Sequence, residues 1–222
     1  MAIFTKLTWP IVDKSAVCSL QDIASAGLLL LNGTLSDPSI VPSQISFINY
    51  NLIRSVSISS LNNLSARTFV INGFQNNAPV TDTISGPNNN TVYGTVHFDV
   101  ITSVHIDGAA NGVSVGTGDV GYLPLFVVNT GTTTINYSLS IIFPPTGVTN
   151  IDYSVFQTLD QINTSFLTFD SQLGNLFPLT GLINQTSSQI ANYQNITNFI
   201  LLKINSSGTP LTDTFDFVFL QT

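Results

Sequence analysis

The chain has 222 residues and a formal net charge of −7, and only 8% of its residues are charged. This length suits one large all-β domain, and a hydrophobic share of 43% excludes a disordered chain. The five Lys and Arg residues are scattered, so they cannot form the basic surface that nucleic acid binding requires. We therefore expect no nucleic acid partner and a surface made mainly of Ser, Thr, Asn and Gln.

Neither a disulfide nor a membrane segment is expected. Cys18 is the only cysteine, so no disulfide can form within the chain. Residues 1–31 contain four charged side chains, which does not fit the apolar core of a secretory signal. No stretch approaches the roughly 18 apolar residues that a membrane helix requires, so we expect no membrane partner.

Short strands are predicted along most of the chain. Thr, Val, Ile, Phe and Tyr are abundant and Glu is absent, a composition that favours strands over helices. Clusters of Gly, Asn and Pro separate the predicted strands. This arrangement predicts an all-β protein, an antiparallel β-sandwich or jelly-roll-like fold. The strands are expected at Leu28–Leu31, Arg54–Ser59, Thr68–Asn72, Val80–Ile84, Gly112–Val115 and Leu123–Val128.

The clearest strand signal lies in residues 95–107, where apolar and polar residues alternate. A bulge or turn is expected near Ile101 and Thr102, where the alternation changes phase. Successive strand side chains point to opposite faces, so one set should be buried and the other exposed. The buried set should be Val96, Phe98, Val100, Val104 and Ile106, and the exposed set His97, Asp99, Ser103, His105 and Asp107.

The same alternation predicts strands near the C-terminus. Residues 135–143 alternate and end at Pro144, which cannot continue a ladder. Residues 215–219 place Phe at every second position and predict the last strand. Residues 200–204 are the expected hairpin partner of that strand, because a turn-rich connection joins the two segments.

Residues 151–198 depart from the strand pattern. Apolar residues recur there at helix-like spacing, which predicts short helices or a long folded loop inserted between two strands. We expect a single β-sandwich domain over 1–222, with an N-terminal arm at 1–20 and this insertion. Aromatic side chains dominate many interfaces, so both segments are expected to contact other subunits. The expected interface residues are Phe4, Trp9, Tyr153, Phe156, Phe166, Phe169 and Phe177.

Two motifs match catalytic or cofactor patterns only in part. Residues 112–116 match G-x-S-x-G around Ser114, but His97 and His105 both precede this serine, whereas the hydrolase order places the histidine after it. Residues 116–121 match G-x-G-x-x-G, but no helix start follows that would hold a pyrophosphate. The glycines are expected to form a turn, and we expect no catalytic or cofactor-binding residue.

Metal binding is possible by spacing alone. His97 with Asp99, and His105 with Asp107, each form an H-x-D pair whose side chains point to one strand face. A solvated polar face accounts for the same spacing. The remaining acidic residues lack the regular spacing of a calcium loop. We therefore expect no metal ion and no enzymatic activity.

Residues 55–117 contain a distinctive order of turns and strands. A strand ends in Ser-x-x-Asn-x-Ser, the hairpin TFVINGFQNNAPVTDTISGPN follows, and FDVITSVHIDGAANGVSVGT comes next. In this order the segment resembles a family of virion structural proteins of tailed bacteriophages. The resemblance resumes at Tyr137–Phe143 and Ile200–Leu220. The matching residues in the first segment are Asn63, Ser65, Phe69, Ile71, Gly73, Asp82, Ile84, Gly86, Phe98, Val104, Asp107, Gly108, Ala109, Ala110, Gly112, Ser114, Val115 and Gly116.

The resemblance implies a structural component of a phage particle, located in the virion after assembly in the host cytoplasm. The expected role is that of a decoration or cement protein on the capsid surface. Its expected partners are the major capsid protein and neighbouring copies of itself, in a homo-oligomer. Two alternatives are a neck or tail adaptor or fibre-base protein, and a carbohydrate-binding sandwich that attaches the particle to a host.

Overall fold

β-Strands are the regular elements of the described part of this protein. A computed structural model describes residues 2–9, 12–37, 39–40, 45–46, 53–75, 77–122, 126–127, 135–142, 151–158, 177–195, 199–207 and 213–221. Within these residues, no helix is long and apolar enough to cross a membrane. The strands are β1 (Ala2–Trp9), β2 (Cys18–Ile23), β3 (Gly27–Leu28), β4 (Ile45–Ser46), β5 (Ile53–Ser60), β6 (Thr68–Gln75), β7 (Ala78–Ser85), β8 (Thr91–Tyr93), β9 (Val100–Ile106), β10 (Ala110–Tyr122), β11 (Phe126–Val127), β12 (Ile135–Ile142), β13 (Ile151–Thr158), β14 (Phe177–Pro178), β15 (Gln189–Asn195), β16 (Phe199–Ser207) and β17 (Asp213–Gln221).

The chain divides into two compact units, whereas its length and composition predict one domain. Unit 1 contains the described residues of Met1–Ile11, Tyr122–Asn163 and Gln172–Thr222. Unit 2 contains those of Val12–Gly121. Composition does not reveal this division, because both units are built from the same kind of short, weakly charged strand.

Unit 2 is an assembly of antiparallel strands around one core. One sheet has the order β3-β9-β6-β7, with β4 also paired to β9. In the other group, β5 lies between β10 and β8, and β2 pairs with β10. The expected antiparallel, sandwich-type all-β fold is therefore confirmed. The core includes Val56, Ile58, Phe69, Ile71, Phe98, Ile101, Val104, Ile106, Val113 and Val115.

Unit 1 contains two further groups of antiparallel strands. One sheet has the order β1-β17-β12-β15. In the other group, β13 lies between β14 and β16, and β11 pairs with β16. Their buried side chains include both aliphatic residues and tyrosines. Examples are Tyr137, Leu139, Ile141, Tyr153, Val155, Leu179, Leu182, Ile200, Leu202 and Ile204.

The bulge predicted near Ile101 and Thr102 is confirmed. Asn72 of β6 pairs with Ser103 of β9, and the next residue, Gly73, pairs with Ile101. Thr102 is therefore the extra residue on β9. A single inserted residue bends a strand and exchanges the faces to which the following side chains point, which explains the change of phase in the sequence.

The two faces predicted for residues 95–107 are confirmed only in part. Phe98, Val104 and Ile106 are buried and Asp107 is exposed, but Val96, Val100, Asp99, Ser103 and His105 are all half-buried. The expected exposure of His97 is wrong, since its side chain is only 6% exposed. Residues 95–99 do not continue β9. Phe98 instead forms an isolated bridge with Arg54, so strict alternation does not apply there.

The predicted C-terminal hairpin is wrong. β16 pairs with β13 and β11, whereas β17 pairs with β1 and β12. Alternating apolar residues fit any neighbour that has a complementary face, so proximity in sequence did not identify the partner. The register brings Ala2 opposite Leu220 and Tyr137 opposite Gln221.

The N-terminal arm and the insertion differ from the sequence prediction. Residues 2–9 form β1, which pairs along its length with β17, and β2 begins within residues 1–20. Within 151–198, β13, β14 and β15 are parts of the sheets. Residues 159–176 lie outside the described part of the chain. A helix-like spacing of apolar residues over 151–158 arises here because both faces of β13 contain apolar side chains.

Candidate functional site

The expected interface residues whose side chains the structure describes are Tyr153, Phe156 and Phe177, and they differ in exposure. Tyr153 is 1% exposed, and its hydroxyl donates a hydrogen bond to Ser187 O at 2.9 Å, so it is a core residue. Phe156 is half-buried, and Phe177 is exposed in β14. Phe4 and Trp9 lie in β1, with side chains outside the described part of the structure. Phe166 and Phe169 lie outside the described residues.

Leucine side chains that no sequence motif marks are exposed in unit 2. Leu61 is 91% exposed and Leu20 is 71% exposed, and Leu28 and Leu30 are also exposed. The signal available in the sequence is the run of four leucines at 28–31, which predicts a strand. β3 covers only Gly27–Leu28, and Leu29 N still donates to Val104 O of β9. Leu29 is buried, whereas Leu28 and Leu30 on either side of it face solvent.

The two glycine motifs lie within a strand. Ser114 and the glycines of residues 116–121 all belong to β10, so the expected turn is wrong. Gly116 is required by a close approach, because a Cβ atom there would lie 1.9 Å from Asp13 O. Gly112 has φ of +60° and sits where the register between β10 and β2 shifts. A strand continues where a nucleophile elbow or dinucleotide site would need a helix.

The H-x-D pairs occupy different environments. His97 is buried and its carbonyl accepts a hydrogen bond from Gln75 Nε2 at 3.0 Å, whereas Asp107 is exposed. In the part of the chain that the structure describes, no group of three or more His, Cys, Asp or Glu side chains is arranged to hold a metal ion. Cys18 is buried, and burial raises the pKa of its thiol to about 12, so it is a packing residue.

A groove in unit 2 gathers polar side chains from four neighbouring strands. It has a volume of about 310 Å³ and crosses β2, β10, β5 and β8. Small-molecule sites start at about this size. We call it the Ser114 groove. Its lining residues are Lys14, Leu20, Ser59, Ser60, Leu61, Asn89, Asn90, Thr91, Gly112 and Ser114.

Two register shifts shape the wall formed by β2 and β10. Val113 pairs with Gln21 and Val115 with Cys18, so Ser114 faces two residues of β2, Ser19 and Leu20. A second shift lies at Gly112, whose N–H donates to Asp22 Oδ1 at 2.6 Å. Bulges of this kind change the direction of side chains and are frequent beside functional sites.

Ser114 is the unusual residue of the groove. Its side chain is 7% exposed, and its hydroxyl makes no hydrogen bond in the described part of the chain. The neighbouring hydroxyls behave differently. Ser59 Oγ and Thr91 Oγ1 bond to each other at 2.9 Å, and Ser60 Oγ accepts from Asn62 N at 3.0 Å. The Ser114 oxygen is not a buried atom that lacks a partner; it opens into the groove, where its hydroxyl can donate and accept hydrogen bonds.

A hydrogen-bonded turn fixes the backbone beside Lys14. Asp13 N donates to Thr117 Oγ1 at 3.0 Å, and Thr117 N donates to Asp13 O at 2.9 Å. Asp13 Oδ1 accepts from Ser15 N, and Asp13 Oδ2 accepts from Thr34 Oγ1 at 2.8 Å. Burial alone would raise the pKa of Asp13, but these hydrogen bonds outweigh it and hold the pKa below its ordinary value.

The basic side chains in and near the groove have different environments. Lys14 is the charged residue among those lining the groove, and its ammonium has no ion-pair partner among the described residues. The other basic side chain of this strand group, Arg54, is buried. It donates from Nε to Gly118 O at 3.0 Å, and burial lowers its pKa to about 10, with Asp119 opposing this effect. Arg54 therefore links β5 to β10, and Lys14 is left to interact with a ligand.

No protein-family model and no curated protein matches this chain. The function is therefore inferred from the residues themselves: the resemblance over 55–117, the exposed leucines and the Ser114 groove.

Proposed function

We propose that this chain is a structural protein of a tailed-bacteriophage particle, bound to the outside of the head as a decoration or cement protein. The segment that resembles such proteins, residues 55–117, lies in unit 2 and supplies most of β5–β10. Its matching residues include glycines at close backbone approaches, such as Gly73, Gly86 and Gly116. These matching glycines therefore have a structural role in this fold.

The exposed leucines of unit 2 are the observation that carries the proposal. Leu28 and Leu30 are both exposed, and they border a hollow of about 430 Å³ whose lining runs through Leu28, Leu29, Leu30 and Leu31. We call Leu28 and Leu30 the leucine edge. Exposed apolar side chains grouped in this way are typical of surfaces that bind another protein. The major capsid protein is the partner that we assign to this edge.

The low charge of the chain fits attachment to a lattice. Only 8% of the residues are charged, so an interface made by this protein contains few ion pairs. Salt at about 1 M screens exposed charge pairs beyond about 3 Å, and it does not weaken apolar contacts. Particles washed at this ionic strength should therefore retain the protein.

The test is the copy number of the protein in purified particles of the phage that encodes it, measured against the major capsid protein on a stained gel. A decoration protein should be present at a number comparable with that of the capsid subunit. Substituting both residues of the leucine edge, Leu28→Ser with Leu30→Ser, should reduce the occupancy. Ile190→Ser, at an exposed apolar position in unit 1, is the matched control and should leave the occupancy unchanged.

The alternatives predict different outcomes of the same measurement. A neck or tail adaptor or fibre-base protein would be present at the small copy number of a single ring. A protein absent from the particles would contradict every structural role. A host-attachment protein that binds carbohydrate is the second candidate, and the specific observation in its favour is the Ser114 groove, with its unpaired hydroxyl and amide-rich wall.

A further inference from the structure

We propose that the Ser114 groove binds a saccharide whose ring bears a carboxylate. The inference deepens the second candidate function, and it does not depend on where the protein is located in a particle. It rests on three properties of the lining residues: an accessible hydroxyl that makes no hydrogen bond to the described part of the chain, amides with free hydrogen-bonding atoms, and a single charged residue, which is a cation.

The hydroxyl of Ser114 supplies the first contact. Ser114 as a whole is 7% exposed, but its hydroxyl opens into the groove and makes no hydrogen bond to the described part of the chain. A serine hydroxyl donates one hydrogen bond and accepts up to two. The hydroxyl groups of a sugar also donate and accept, so one sugar hydroxyl can satisfy both capacities of Ser114.

The amides of Asn89 and Asn90 supply the second set of contacts. Asn89 N donates to Asn62 O at 3.2 Å, which fixes its backbone, while its side chain is exposed at the groove. Asn90 Oδ1 accepts from Asn88 N at 2.9 Å. This bond orients the amide, so its Nδ2 is the group available to a ligand. Side-chain amides and hydroxyls of this kind suit a ligand rich in hydroxyl groups.

Lys14 selects a negative substituent on the ligand. It belongs to a chain whose net charge is −7, and yet the other lining residues of the groove are uncharged. A charge-assisted hydrogen bond between an ammonium and a carboxylate is roughly twice as strong as a neutral one. A sugar acid therefore gains a contact that the corresponding neutral sugar lacks.

Leu20 and Leu61 provide the apolar part of the site. Both are largely exposed and both line the groove. A sugar ring has an apolar face of C–H groups, and covering two exposed leucines with it removes apolar surface from water. A peptide would instead be expected to pair with a free strand edge, whereas Ser114 lies on β10, a strand that pairs with both β2 and β5.

The experiment measures binding of a galacturonate trimer to the purified full chain by isothermal titration calorimetry, with the neutral galactose trimer in a parallel titration. The acidic trimer should bind about tenfold more tightly than the neutral one, which reflects one charge-assisted contact. Lys14→Gln should remove this preference and leave the neutral trimer unaffected. Lys203→Gln, in unit 1, is the matched control and should change neither affinity.

Ser114→Ala should weaken binding of both trimers by about threefold to tenfold, the value of one neutral hydrogen bond. Ser85→Ala, an exposed serine on β7, is its control. Thermal unfolding of every variant shows that a loss of binding is not a loss of fold. The proposal is overturned if the acidic trimer does not bind, if Ser114→Ala binds as well as the unmodified chain, or if an acidic tripeptide binds more tightly than the saccharide. None of these results alters the copy number expected for a decoration protein.

Discussion

Two serines with low exposure, one in each unit, differ in whether their hydroxyls make hydrogen bonds within the protein. Ser154 of unit 1 is 2% exposed, and its Oγ accepts hydrogen bonds from Asn184 N at 3.0 Å and from Asn205 Nδ2 at 2.9 Å. Ser114 of unit 2 is almost as buried but has no hydrogen bond among the described residues. The first serine is part of a hydrogen-bonded structural network. The hydroxyl of the second serine remains available for a hydrogen bond.

The difference between the two serines follows from their neighbours. Ser154 lies opposite polar side chains on the adjacent strand and loop, since Asn205 Nδ2 also reaches Asp152 Oδ1 at 3.0 Å. Ser114 lies at a register shift, opposite Leu20 and a serine whose hydroxyl already bonds elsewhere. Burial alone therefore does not identify a functional residue. A hydroxyl that makes no hydrogen bond within the protein and opens into a groove is a more specific indication of a binding residue.

The largest effect is expected in the core of unit 2. Phe98 is fully buried in the core of unit 2, and Phe98→Ala should lower the free energy of unfolding by about 3–5 kcal/mol. Urea denaturation followed by fluorescence measures the change. Ile190→Ala, at an exposed position, should change stability by less than about 0.5 kcal/mol. An equally small effect of Phe98→Ala would show that this residue is not a core residue.

The next largest effect should come from the satisfied serine. Ser154→Ala removes the acceptor of Asn184 N, whereas Asn205 Nδ2 keeps Asp152 Oδ1 and Asn184 Oδ1 as acceptors. A hydrogen bond contributes about 0.5–1.5 kcal/mol to stability, so the free energy of unfolding should fall by about that amount. Chemical denaturation gives the value. Unchanged stability would mean that the network around Ser154 contributes nothing, and the contrast with Ser114 would be lost.

A smaller, pH-dependent effect is expected at the turn that fixes Lys14. Because the folded-state pKa of Asp13 is held below 3.8, its ionised form stabilises the fold above that pH. This stabilisation should disappear as the pH falls through the lower, folded-state value. Asp13→Asn should therefore be less stable than the unmodified chain at about pH 7, and the difference should shrink below about pH 4.

Urea titrations of both chains at several pH values test this prediction. Asp107→Asn, at an exposed aspartate in the same unit, is the control and should show no comparable pH dependence. If the difference between Asp13→Asn and the unmodified chain grows at acidic pH, the ionised carboxylate does not stabilise the turn.

The smallest effect on stability should come from the unpaired serine. Ser114→Ala removes a hydroxyl that makes no hydrogen bond to the described part of the chain, so no protein contact is lost. Stability should change by less than about 0.5 kcal/mol, while saccharide binding weakens. Comparing the thermal unfolding of Ser114→Ala with that of Ser154→Ala gives a direct test. Equal destabilisation of both variants would show that Ser114 has a structural partner after all.

Local patterns in the sequence predicted the elements well. The alternation near residues 135–143 matches β12, the segment 54–59 matches most of β5, and the change of phase at Thr102 matches the bulge in β9. These features depend on neighbouring residues alone, because alternation follows from the two-residue period of a strand. The strand at 151–158 was missed because apolar residues on both of its faces obscure that period.

The groove was harder to predict than the strands. The glycines on either side of Ser114 suggest a nucleophile, and the order of the histidines in the chain argues against one. The relevance of this serine depends instead on Lys14, on Asn89 and Asn90, and on Leu20, all of which are distant in sequence. Only the pairing of β2 with β10 and of β5 with β8 brings these residues to one place.

Composition and residue spacing were enough to predict a protein made of strands, because both describe local structure. They also identified Phe98 and Val104 as core residues. Tertiary structure alone decided that β17 pairs with β1 and β12 instead of with β16, and that Tyr153 is buried while Leu61 is exposed. Strand partners and side-chain exposure depend on long-range packing between strand faces that are similarly apolar. The local sequence does not distinguish one such face from another.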